Sequence, residues 1–157
     1  MTKQTRIKSI QNKLILYFLI LCLTINIFVG FMQYKNSTER MMSDIKTRVE
    51  ELAIAASLLV DGDKHSLLQE KDDQNTDTYK EIREILGNFQ NKANVAFIYT
   101  LREIDGNTTE FIVDAAEEDP TDLGYEYDYL PAMKLAFSGK TTSDEELYSD
   151  EWGTFLS

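Results

Sequence analysis

Tyr99, Asp114, Tyr125, Tyr127 and Trp152 are the residues of this sequence whose types and placement suit recognition of a small molecule. Aromatic faces attract cations and a carboxylate pairs with them, so a box of rings with one aspartate suits a ligand bearing an ammonium group. For each ring taken alone, a core position with its polar tip bonded to backbone is the plainer reading. Catalysis finds little support. The chain contains no G-x-S-x-G, phosphate-binding glycine loop, G-x-G-x-x-G, H-E-x-x-H or C-x-x-C. His65 is the sole histidine and has no nucleophile motif near it. Asp61, Asp63 and His65 suggest a metal, as do Glu103, Asp105 and Asn107, but neither group has the spacing of a calcium loop. Cap and turn chemistry accounts for both more simply. These 157 residues therefore read as non-enzymatic, with no cofactor and no metal.

The charge that surrounds these residues is unevenly spread. Lys3, Arg6, Lys8 and Lys13 precede Tyr34 with no acid among them, whereas the 12 bases that follow face all 27 acids. An acidic surface repels phosphate backbones, which excludes nucleic acid as a partner. Leu14 to Tyr34 carries no charge and is long enough to cross about 30 Å of hydrocarbon as a helix. A cleaved secretory signal competes with that reading, but the apolar run exceeds a typical signal core and no Ala-x-Ala-like site follows it. Basic flanking residues stay in the cytoplasm. The expected layout is a cytoplasmic tail over 1–13, a transmembrane helix over 14–34, a juxtamembrane helix over 35–60 and an extracytoplasmic domain over 61–157. Thr24 and Asn26 within the span are expected to bond backbone or a partner helix. Cys22, the single cysteine, lies there too, so no disulfide framework exists.

The elements that must position the site follow. Met42, Ile45, Val49, Leu52, Ala56 and Leu59 recur at spacings of three and four, which is a heptad seam. It serves either packing on its own domain or a parallel homodimer, and Gly62 is expected to close the helix. "TYKE", Thr78 to Glu81, predicts a capping box, with Tyr79, Ile82, Leu86 and Phe89 as the buried face of the helix it opens. "NVAFIYTLREI" and "TEFIVDA" flank Asp105-Gly106-Asn107 and predict a β-hairpin. On its first strand Phe97 and Tyr99 share one face, Thr100 and Arg102 the other. "AAEEDPTDLGYEYDY" predicts an irregular crossover, "PAMKLAFSGK" a short helix with Pro131 in its first turn, and "YSDEWGTFLS" a further strand. Helices before an antiparallel sheet make an α+β domain, with a small-molecule pocket between sheet and crossover.

"LLVDGDKHSLL", "FIYTL", "FIVDA", "GYEYD", "AFSGK" and above all "YSDEWGTFLS" together resemble the Cache sensor family. These are PAS-like extracytoplasmic domains of bacterial transmembrane receptors, and the resemblance is strongest to methyl-accepting chemotaxis receptors. It covers about residues 35 to 157. It implies a five- or six-stranded antiparallel sheet beside the long N-terminal helix, a last hairpin, a second transmembrane helix and a cytoplasmic output region, so that the chain reads as cut before that hairpin. It also implies a small-molecule ligand, an amino acid or another small metabolite, with Tyr99, Asp114, Tyr125 and Trp152 as pocket residues. The full amino-acid-binding pattern of two-module members is not present. The implied function is extracytoplasmic sensing and transmembrane signalling by a homodimer joined through the juxtamembrane helix. A sensor region of a histidine kinase or diguanylate cyclase is the alternative, and a stand-alone anchored binding domain is a third reading.

Overall fold

The structure is a computed structural model that describes residues 2–150 and 153–157. Its elements run α1 (Thr2–Ser57), α2 (Gly62–His65), a 3-10 turn (Lys71–Asn75), α3 (Asp77–Ala93), β1 (Tyr99–Asp105), β2 (Thr108–Asp114), β3 (Glu126–Asp128), α4 (Pro131–Phe137), β4 (Tyr148–Asp150) and β5 (Gly153–Phe155). The chain divides into two units, one ending at Ile45 and one beginning at Lys46.

The described residues of the first unit are helical. Its apolar run leaves Leu14, Phe18, Ile27 and Phe28 exposed, and it is a candidate membrane span by length and composition. The two polar side chains within the run satisfy themselves on the helix's own carbonyls. The Thr24 hydroxyl donates to the Leu21 carbonyl at 2.8 Å and the Asn26 amide to that of Cys22 at 2.7 Å.

The second unit is α+β, as the order of elements predicts. Its core joins Leu68, Ile112, Val113 and Leu123 to Tyr79, Ile82 and Leu86 of α3, with Phe89 partly buried beside them. The spacing of those α3 residues puts them on one stripe, which packs on β2. Gly87 faces the Ala115 carbonyl, where a Cβ would stand in ordinary van der Waals contact at 3.5 Å. Arg83 adds a hydrogen bond to the Ala116 carbonyl at 2.6 Å. Asn94, at φ 54°, ends α3 in the left-handed conformation that asparagine tolerates.

β1 and β2 form the predicted hairpin, its turn closed by the Asn107 N–H donating to the Asp105 carboxylate at 2.9 Å. β3 adds antiparallel to β2, giving the order β1-β2-β3, while β4 and β5, among the described residues, pair with each other alone. The described residues therefore form a three-stranded sheet beside a separate two-stranded hairpin.

Several local expectations give way. α1 ends at Ser57, where Leu59 and Val60 donate to carbonyls three residues back and tighten the chain out of α geometry. Gly62 does not close that helix; it opens α2, because the Asp61 carboxylate accepts from the N–H groups of Asp63 and Lys64 as an N-cap. The cap of α3 is Thr76 instead of Thr78, accepting from the Tyr79 N–H at 3.3 Å. α3 packs on the sheet, and Ala56 of the long helix joins the same buried core as Ile112 and Val113. The crossover contains the strand β3, and "YSDEWGTF" holds two strands where one was expected.

Candidate functional site

A cavity of about 680 Å³ opens against the sheet face that carries Tyr99 and Phe111, and its lining reaches Leu86 of α3. That volume falls within the range of small-molecule sites. Val49, Leu52, Ala53 and Ala56 from the last turns of α1 form one wall, and Ala132, Met133 and Ala136 of α4 form another. The C-terminal segment closes it with Tyr148, Asp150, Phe155 and Leu156. This segment is tied to α1: Ser143 donates to the Glu50 carboxylate at 2.8 Å, and the Lys46 ammonium donates to the Glu145 carbonyl.

The sheet presents Tyr99, Phe111, Asp114 and Tyr127 to the cavity. Regular alternation would put Phe111 and Asp114 on opposite faces of β2. A β-bulge resolves this. Thr100 pairs with Val113 and Leu101 with Phe111, which leaves Ile112 as an extra residue. Ile112 and Val113 consequently both enter the core, and both their neighbours reach the cavity. The Thr100 hydroxyl supports the bulge by accepting from the Val113 N–H at 3.1 Å. β1 keeps the predicted division of faces: Tyr99 lines the cavity, and Arg102 turns to Glu110 at 2.7 Å and to the Leu68 carbonyl at 2.8 Å.

Tyr99 and Asp114 are partners in register and lie together at the cavity. Asp114 is only 6% exposed, and its two oxygens accept from the N–H groups of Ala116 at 3.0 Å and Thr121 at 2.8 Å. It therefore braces the start of the crossover as well as lining the wall. Tyr125 is not brought to the cavity. It is 44% exposed and meets Phe111 edge-on with ring centroids 6.3 Å apart. Trp152 lies outside the described residues.

Tyr127, Tyr148 and Asp150 complete the polar end, although sequence reasoning did not select the last two. The Tyr127 hydroxyl donates to the Asp150 carboxylate at 2.7 Å, and that of Tyr148 meets the Ser157 hydroxyl at 3.0 Å. Burial above all pushes the phenol of Tyr99 up, with Tyr148 and Asp150 adding to it. The Tyr127 phenol is likewise raised, first by burial and then by its bond to Asp150. Both remain protonated donors. The rings pack as an extended cluster: Tyr99 and Phe111 have centroids 4.9 Å apart, Phe111 and Tyr127 5.6 Å, Phe97 and Phe155 5.4 Å. The alternation of Tyr148 and Asp150 is the signal that could have placed both on one strand face.

A scan against protein-family models, a search of curated proteins and a search of solved structures each found no match.

Proposed function

We propose that this chain is the sensor region of a bacterial membrane receptor of the chemotaxis type, with a PAS-like domain of the Cache kind outside the membrane. The observation that carries this reading is the cavity, walled on one side by Val49, Leu52 and Ala56. Those residues follow the apolar run along one helix, with no proline or glycine from Phe31 onward to break it. A ligand that fills the cavity touches this helix directly, and its differential affinity for two helix positions is what would bias a signal. The basic N-terminus supports a cytoplasmic tail and an extracytoplasmic domain.

Dimerisation belongs to the turns before Lys46 in this reading. Ile45 is 43% exposed, whereas Val49, the next seam position, faces the cavity of its own domain. Ile45→Cys, in a Cys22→Ser background, should cross-link in membranes and Val49→Cys should not; equal failure of both removes the dimer.

The ligand-site reading is tested by thermal unfolding of the 157-residue chain in lipid nanodiscs against a panel of amines, amino acids, carboxylates and neutral metabolites. At least one class should raise the midpoint in wild type and not in Ala132→Phe, which narrows the cavity from α4. A panel with no midpoint shift contradicts it.

A further inference from the structure

The cavity has the chemistry of a cation site, with acids and rings but no cationic side chain among its described lining residues. Six rings line it: Phe97, Tyr99, Phe111, Tyr127, Tyr148 and Phe155. Asp114 and Asp150 lie on its inner wall, Glu118 and Asp119 at its exposed edge, and among the described lining residues there is no Lys, Arg or His. A carboxylate entering would meet like charge without a partner, in surroundings of low dielectric where such repulsion is least screened. An ammonium would meet opposite charge and the negative faces of rings. Both inner acids accept on both oxygens: Asp114 from the crossover, and Asp150 from the Tyr127 hydroxyl at 2.7 Å and the Gly153 N–H at 3.2 Å. Asp150 differs in its surroundings, because the Tyr99 and Tyr148 phenols lie close by and give an ammonium rings and a carboxylate together. Away from this polar end the walls are apolar: Val49, Leu52, Ala56, Ile98, Met133 and Leu156.

We infer that the ligand is an organic cation with an apolar body and no carboxylate, its ammonium held by Asp150 among Tyr99, Tyr127 and Tyr148 and its body lying against α1 and α4. The inference rests on the reading of the cavity as a ligand site and departs from the amino acids and short carboxylates that the family resemblance implies. Charge balance is the reason: an α-amino acid brings a carboxylate that no lining residue pairs.

Isothermal titration calorimetry of the 157-residue chain in lipid nanodiscs tests this with one body and changing charge: 2-phenylethylamine, L-phenylalanine, 3-phenylpropionate and 2-phenylethanol. The amine should bind at least tenfold more tightly than phenylalanine, phenylpropionate should give no binding heat, and Asp150→Asn should weaken the amine at least tenfold. Phenylalanine or phenylpropionate binding as tightly as the amine overturns the inference, as does an unchanged affinity in Asp150→Asn. If phenylpropionate or the alcohol alone binds, and Ala132→Phe abolishes it, the cation class fails while the cavity stands as a ligand site. Absence of heat from all four probes overturns the inference and removes the support for the site with it.

Discussion

The two faces of β2 are finished in opposite ways. Toward α3, Ile112 and Val113 are 1% and 0% exposed within a continuous apolar core. Toward the cavity, Phe111 and Asp114 stand among rings and acids with space left between the walls. One bulge separates them, placing apolar side chains in pairs on the first face and cavity residues on the second. The difference teaches that the closed face holds the domain together, whereas the open face keeps the space that the proposed reading assigns to a ligand, so that each can be damaged on its own terms.

The largest effect is expected from opening the closed face. Ile82→Ala, at a residue 2% exposed, should destabilise the second unit by about 2–5 kcal/mol in urea unfolding, through lost burial and the cavity left behind. Asp114→Asn is the sharper probe of the open face. An amide cannot accept from the N–H groups of both Ala116 and Thr121, and the orphaned donor should cost about 1–3 kcal/mol without any ligand present. A stability unchanged in Asp114→Asn would mean that this acid does not brace the crossover. Thr76→Ala should cost about 1 kcal/mol and speed amide exchange in the first turn of α3, leaving the sheet as it is.

The smallest effect is pH-dependent. His65 is held below the usual imidazole range, first by burial and then by the Arg102 charge, and its Nε2 lies 2.8 Å from the Thr100 hydroxyl that supports the bulge. Since the unfolded chain then takes up this proton more readily than the folded one, stability is greatest above about pH 6.5 and declines as pH falls from there to the folded value. Besides Arg102, the charged neighbours are Asp61, Asp63 and Lys64 on its own element and Glu110, which pairs with Arg102. His65→Gln should flatten the slope between pH 5 and 7 in chemical unfolding; an unaltered slope would assign it to other groups.

Much of the closed face was legible in the sequence because its signals are local. Asp-Gly between alternating runs gives the hairpin, and Tyr79, Ile82, Leu86 and Phe89 give the packed face of α3. Pro131 and Gly139, the latter at φ 86°, bound α4. The open face depends on pairing, which no local pattern specifies. The bulge at Ile112 arises only once β1 and β2 meet, and it is what returns Asp114 to the side of Tyr99. Tyr125, Tyr127 and Tyr129 would share one face of a regular strand, but β3 spans only Glu126–Asp128, so Tyr127, paired with Thr109, lines the cavity while Tyr125 lies outside the strand. Three-residue strands such as β3 and β4 are too short for periodicity to distinguish them from the acidic loops around them.

The most direct test of the cavity as a ligand site is to observe a ligand inside it. Met133 is the only methionine among the described residues that lines the cavity, so selective ¹³C-methyl labelling of methionine reports on it in the full chain. Titration with the strongest binder of the metabolite panel should shift the Met133 methyl resonance to saturation in wild type, leave Met32 and Met41 in place, and shift nothing in Ala132→Phe. A Met133 signal that stays fixed while binding saturates would place the ligand elsewhere and contradict the account.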